Sequence, residues 1–244
     1  MLFRSMKVEI IPCLQDNYSY LIIDEDKLEA CVVDPSEAKP IINYLSDKNI
    51  NLKYILNTHH HYDHVGGNTE LKKKFGSVVL GFNGDAKRIP EIDILLKDNE
   101  IWNSGNFKAK IIHIPGHTTG HICFYFFEEN LLFTGDTLFS LGCGRIFEGT
   151  YEQMYNSLNK LKSLPKETKI YCGHEYTLNN SKFCLEHDSE NSSLLKKIEF
   201  IKQQRNNNLP TIPSTLQDEI DCNIFLRAND LKSFSKLRDL KDNF

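Results

Sequence analysis

Short apolar runs separated by polar turns open the chain, and they read as strands. Lys7 to Pro12 and Tyr20 to Asp24 form two of them across the turn Gln15-Asp16-Asn17, and Ala30 to Val33 is a third. After Asp34-Pro35-Ser36 the period changes: Ile41, Ile42 and Leu45 fall at helical spacing, which predicts an amphipathic helix over Ala38 to Lys48. A strand over Lys53 to Asn57, a polar loop, a helix from Asn68 to Phe75 and a strand from Ser77 to Gly81 follow. Gly84 to Asn99 is polar and poorly periodic, so it reads as loop with one short helical turn.

The middle of the chain returns to strands at Phe107 to Ile112, Ile122 to Phe127 and Leu131 to Phe133, the last two forming a hairpin across Glu128-Glu129-Asn130. Tyr151 to Ser163 is helical, and Thr168 to Cys172 is a strand. From Leu178 onward strand signals vanish, leaving helices over Leu178 to His187, Leu194 to Gln204 and Asp230 to Lys241, with a proline-marked connector from Asn206 to Pro213. This predicts an α/β (α+β) body over residues 1–175 and a helical domain over residues 176–244.

Candidate chemistry gathers where strands end. The loop Thr58 to Asn68 places His59, His60, His61, Asp63 and His64 within six positions, directly after the apolar run Tyr54-Ile55-Leu56, and Gly66-Gly67 closes it. Alternation lets His59, His61 and Asp63 face one way while His64 turns to a second centre, a spacing suited to two neighbouring metals. A second cluster carries His113, His117 and His121, Gly135-Asp136 follows another strand, and Gly173-His174 follows a fourth. Imidazole and carboxylate without cysteine suit zinc, iron or manganese and leave room for water, as catalytic sites require. The ligand count exceeds what one tetrahedral ion takes and fits two ions sharing a carboxylate.

Composition narrows the setting. At 244 residues, with 40% hydrophobic and 25% charged positions, the chain is ordinary for a globular protein. No apolar run reaches the roughly 18 residues of a membrane span, and a formal charge of −4 argues against general nucleic-acid binding. Seven scattered cysteines without a CxxC pair suit a reducing compartment. Met1 to Ser5 are too short for a secretory leader, and Met6 is an alternative start. A cytoplasmic monomer is expected.

The histidine loop, Gly116-His117, Gly135-Asp136-Thr137 and Gly173-His174, in this order, resemble the metallo-β-lactamase superfamily. Gly142-Cys143-Gly144-Arg145, Gly173-His174-Glu175-Tyr176-Thr177, Pro213-Ser214-Thr215-Leu216 and the ending Leu237-Arg238 through Lys241-Asp242-Asn243-Phe244 further resemble the glyoxalase II (hydroxyacylglutathione hydrolase) family, over nearly the whole chain. The resemblance implies an αββα sandwich followed by a helical domain. It implies one metal on His59, His61 and His117, a second on Asp63, His64 and His174, and Asp136 between them. It also selects His117 over His113 and His121. Asp63 and Asp136 are the catalytic candidates, and two divalent ions, zinc with iron or manganese as alternatives, are the expected cofactors.

The implied reaction is methylglyoxal detoxification: hydrolysis of S-D-lactoylglutathione to glutathione and D-lactate, with a water between two cations supplying hydroxide at neutral pH. The family's glutathione contacts fall on Arg145, Tyr176, Arg238 and Lys241, with Phe147 at a position that is tyrosine in some members. Arg145 stands where other members have lysine, which keeps the charge and changes the donor geometry. Competing expectations are a glutathione-persulfide dioxygenase or a lactonase of the same superfamily, or a glutathione- or metal-binding module without turnover. His60 and His113 are not expected to ligate, His121 is expected to support a turn or a ligand, His187 to lie at the surface, and Cys143 to be non-catalytic for want of a base.

Overall fold

The computed structural model describes residues 6–244. Residues 1–5, on which the choice of Met1 or Met6 as the start bears, lie outside the described residues. The chain forms two compact units, Met1–His113 with Gly120–Glu129, and Ile114–Thr119 with Asn130–Phe244.

In the first unit, β1 (Met6–Cys13), β2 (Asn17–Asp24) and β3 (Glu29–Val33) lead to the helix α1 (Ala38–Lys48). Then come β4 (Asn51–Leu56), the single-turn helix α2 (Tyr62–Val65), α3 (Asn68–Phe75), β5 (Val78–Phe82) and β6 (Ile94–Leu96). These six strands form one sheet in chain order, antiparallel from β1 to β3 and parallel from β3 to β6. Every residue of β2 is buried, which explains its unbroken apolar run Tyr20-Leu21-Ile22-Ile23. Ile41 and Leu45 of α1 join Val32, Ile55, Leu71 and Val79 in one core cluster. Full burial of such a side chain contributes about 1.5–3 kcal/mol. Asn49 closes α1 in the left-handed conformation at φ 53°, its N–H reaching the carbonyls of Leu45 and Ser46. The unit also holds β7 (Ile101–Asn103), β8 (Lys108–His113) and β9 (Ile122–Phe126), paired antiparallel in that order.

The parallel run has a consequence for chemistry. Parallel strands end on one edge, so β3 delivers Asp34 and β4 delivers Asn57, Thr58 and His59 side by side, with Asp34 N–H bonded to Leu56 O at 2.9 Å.

The second unit comprises β10 (Leu131–Gly135), β11 (Leu138–Phe139), β12 (Gly142–Cys143), α4 (Tyr151–Lys162) and β13 (Lys169–Cys172). It continues with α5 (Thr177–His187), α6 (Ser192–Asn206), β14 (Ser214–Thr215), α7 (Leu216–Cys222), α8 (Ile224–Arg227) and α9 (Leu231–Asp242). β13 lies parallel to β10 and antiparallel to β14. A reciprocal capping box starts α4, in which the Thr150 hydroxyl accepts from Gln153 N–H while the Gln153 side chain accepts from Thr150 N–H.

Three sequence expectations need correction. Gly84 to Asn99 is not all loop: Ile94–Leu96 pairs with β5 as an edge strand, too short for a period to show. Strands do not vanish after Leu178, because Ser214–Thr215 pairs with Lys169 and Ile170 through backbone groups alone. Alternation along the histidine loop stops at His61, since Tyr62 to Val65 coils into a helical turn and sets Asp63 and His64 about 100° apart. Among the described residues no helix is long and apolar enough to cross a membrane.

Candidate metal centre

In the first unit the histidine loop is held by Asp34. Its carboxylate accepts Thr58 N–H at 2.8 Å on Oδ1, and the Thr58 hydroxyl at 2.6 Å on Oδ2. It also faces His64 Nδ1 at 3.0 Å through Oδ2. Because the Thr58 hydrogen is committed to Asp34, the contact of 3.0 Å between Thr58 Oγ1 and His59 Nδ1 assigns the proton to Nδ1. The carboxylate assigns the proton of His64 to Nδ1 in the same way. Both rings thus present Nε2 as the acceptor nitrogen, the tautomer that a metal ligand needs. His61 lies with its ring 4.7 Å from that of His59, and His64 at 4.2 Å. Asp34, His59 and His64 bring ligand-type atoms within 4.8 Å of one another. Asp63 Oδ2 stands 3.7 Å from His64 Nε2, and the Asp63 side chain is 39% exposed.

The glycine pair closing this loop is required by close approach. A Cβ at Gly66 would meet Ser36 O at 2.6 Å and one at Gly67 would meet Pro35 O at 2.9 Å, so the loop is pressed against the backbone leaving β3. Asp34 itself holds φ 48°, which aspartate tolerates better than most residues.

The second unit supplies the other three candidates. Parallel pairing of β10 and β13 puts Asp136 and His174 just past neighbouring strand ends, joined by Gly173 N–H to Gly135 O at 2.9 Å. Asp136 Oδ2 lies 3.3 Å from His174 Nε2 and 3.5 Å from His117 Nε2. His117 Nδ1 is 2.7 Å from Arg145 O, an acceptor only, so Nδ1 carries the proton and Nε2 is the acceptor here too. The Gly142-Cys143-Gly144-Arg145 segment therefore braces a histidine through its backbone. Its glycine is obligatory, because a Cβ at Gly144 would meet Asp136 O at 1.8 Å.

The expected glutathione contacts also fall in this unit. Arg238 is not on a solvated helix face: it is buried, with Nη1 donating to Cys143 O at 2.7 Å and Nη2 to Asp242 Oδ1 at 2.9 Å. Exposed Arg145 shares that oxygen through Nε at 3.3 Å. The Lys241 ammonium is buried with no hydrogen-bond partner among the described residues, over the rings of Phe183 and Phe244 at 5.1 and 4.6 Å. Burial, and then the nearby Arg238 charge, lower its pKa. Tyr176 stacks on His174 at 4.7 Å and is partly exposed, and the exposed ring of Phe147 meets His117 edge-on at 5.2 Å.

Other candidates have different surroundings. His60 turns to Asp85 at 3.3 Å, and His113 stacks on Phe82. His121 is buried and stacks on His59 at 4.6 Å, while His187 is exposed. Burial raises the Cys143 thiol pKa despite the opposing pull of Arg238, which disfavours a nucleophilic thiolate. Asp34 and Thr58 were invisible as site residues in the sequence: Asp34-Pro35 reads as the approach to a helix, and only the register of β3 beside β4 brings its carboxylate to the histidines.

Comparison with known proteins identifies the family. The metallo-beta-lactamase superfamily model matches residues 15–101 and 103–174, and the hydroxyacylglutathione hydrolase C-terminus model matches residues 175–244. A hydroxyacylglutathione hydrolase of Pelagibacter ubique is 69% identical over 239 residues, covering 98% of this chain and 100% of that protein. One from Methylococcus capsulatus is 42% identical, covering 96% and 97%. Among solved structures, BLEG-1 B3 metallo-beta-lactamase aligns with a TM-score of 0.70 at 24% identity, covering 91% of this chain and 99% of that one. ETHE1 from Myxococcus xanthus aligns at 0.73 and 21% identity, covering 96% and 90%. The solved structures establish the metallo-β-lactamase fold. With histidines tautomerically prepared for metal and relatives matched along their full length, the chain belongs to the hydroxyacylglutathione hydrolase family of the metallo-β-lactamase superfamily.

Proposed function

We propose that this protein hydrolyses the thioester of S-(2-hydroxyacyl)glutathione, mainly S-D-lactoylglutathione, releasing glutathione and D-lactate. The 69% identity to a named hydroxyacylglutathione hydrolase, covering 98% of this chain and 100% of that protein, is the observation that carries this reading. In it His59, His61 and His117 would hold one divalent ion, Asp63, His64 and His174 would hold a second, and Asp136 would serve as a ligand shared by both. Nitrogen and carboxylate donors without thiolate fit zinc, and equally accept iron or manganese. When bound, such a pair supplies a hydroxide-strength nucleophile at neutral pH and charge to stabilise a developing oxyanion.

The chain's own residues do the rest. Asp34, Thr58 and Arg145 O keep three imidazoles in the acceptor tautomer. Asp63 and Asp136 orient the attacking water by accepting its hydrogen bonds. Water oxygen adds to the thioester carbonyl carbon and gives up a proton to the carboxylate that holds it, the C–S bond breaks without a strong general acid because a thiolate is a weak base, and the departing glutathione thiolate takes up that proton. Arg145, Arg238 and Lys241 meet the substrate's carboxylates, with Tyr176 and Phe147 beside the thioester end. Lys241 is the best prepared, since a buried ammonium without an acceptor among the described residues gains most from an incoming carboxylate. In this reading residues 1–175 form the catalytic body and residues 176–244 the glutathione-binding domain of a cytoplasmic monomer.

The test compares S-D-lactoylglutathione with the same acyl group on a thiol lacking the γ-glutamyl and glycyl carboxylates. Preferential cleavage of the glutathione thioester is expected. Equal cleavage would remove the role assigned to Arg145, Arg238 and Lys241, and cleavage of neither would remove the hydrolase reading.

A further inference from the structure

Asn17 opens β2, is 4% exposed, and lies in a segment that the sequence marks only as a turn. Its Nδ2 donates to Asp63 Oδ2 at 3.0 Å and to Asp63 main-chain O at 3.1 Å. One amide nitrogen thus grips the side chain and the backbone of the same residue. Two facing oxygens also settle the orientation of the amide, because only the nitrogen end can donate.

Asp63 has need of such a grip. It sits in the four-residue helix α2, whose N-cap His61 makes no side-chain capping bond. A single helical turn is unstable by itself. The Asp63 side chain is 39% exposed, so burial alone does not select its rotamer. Oδ2, the oxygen that stands 3.7 Å from His64 Nε2, is the one Asn17 holds, so this bond fixes the carboxylate plane with that oxygen turned to the histidine.

We propose that Asn17 is a positioning residue that fixes the Asp63 carboxylate for metal binding, so that one of the two ions depends on it and the other does not. The inference rests on the reading above, in which Asp63, His64 and His174 hold one ion and His59, His61 and His117 the other. Partners of ligating carboxylates typically contribute 10–100-fold in metal affinity.

The experiment measures Zn²⁺ stoichiometry and affinity, by elemental analysis after dialysis and by competition with a chromophoric chelator. It uses the full-length wild type, Asn17→Ala, Asn17→Leu, Asp63→Ala and the double variant Asn17→Leu/Asp63→Ala. Leucine keeps the bulk of asparagine and removes its donors, so a packing loss confined to Asn17→Ala is recognised. The wild type is expected to hold two ions, while both Asn17 variants keep one tightly and bind the other about 10–100-fold more weakly. The double variant should match Asp63→Ala, because a partner of an absent carboxylate has nothing left to position. Two ions bound as tightly in the Asn17 variants as in wild type would overturn the inference alone, as would equal weakening of both ions. Fewer than two ions in the wild type would overturn the metal assignment, and the inference with it.

Discussion

Asp34 shows how much one carboxylate can organise: it accepts Thr58 N–H and O–H and orders His64 through Nδ1. Asp34→Asn keeps the size and tolerates the positive φ, but leaves Nδ1 of His64 opposite a neutral amide. Zn²⁺ affinity measured by chelator competition should fall about 10–100-fold, with activity following. Lys241 is the second informative residue. Burial lowers its pKa, so it loses its charge at a lower pH than an ordinary lysine and is cationic only below that point. Binding of an S-alkylglutathione inhibitor should therefore weaken as pH rises through this depressed value. Lys241→Arg should remove that alkaline loss, because a guanidinium stays charged throughout.

At the scale of elements, the short β11–β12 hairpin carries the Gly142 to Arg145 segment, and Glu219 of α7 ties it down. The Glu219 carboxylate is fully buried and accepts Leu141 N–H at 2.8 Å and Asn223 Nδ2 at 3.0 Å, both on Oε2. Burial raises its pKa, so folding holds a proton that the unfolded chain has released, and stability falls as pH rises from the ordinary glutamate value through the raised one. Glu219→Gln keeps an acceptor oxygen and carries no charge. Its unfolding temperature should exceed that of wild type at pH 7, with the difference shrinking as pH falls towards 4. A difference independent of pH would mean that the carboxyl does not titrate between those limits.

For the molecule as a whole, bound metal is linked to folding. An ion at 100 times its Kd adds about 2.7 kcal/mol of stability, which for a chain of this size is roughly 5–10 °C in Tm. Chelation should lower Tm by that order and abolish thioester hydrolysis, and re-addition of Zn²⁺ should restore both. Net charge −4 leaves glutathione recognition to local cations, so inhibitor binding should also weaken as salt screens them.

The sequence by itself determined the strands and helices with a sustained period, β1 to β5 and α1 among them, because periodicity records which face is buried. Through the resemblance of its motifs it also determined the family that the comparisons establish. Ligand candidates were legible since imidazoles and carboxylates clustered after strands are rare outside metal sites. Tertiary structure decided what depends on pairing between distant segments. Asp34 reaches His64 only because β3 lies parallel to β4, Asn17 reaches Asp63 across 46 positions, and Arg238 is buried against Cys143 across 95. Two-residue strands such as β14 leave no period in the sequence, since their bonds are made by backbone groups that every residue but proline carries. The tautomers of His59, His64 and His117 were likewise beyond the sequence, because a proton's place on a ring is set by the acceptor facing it.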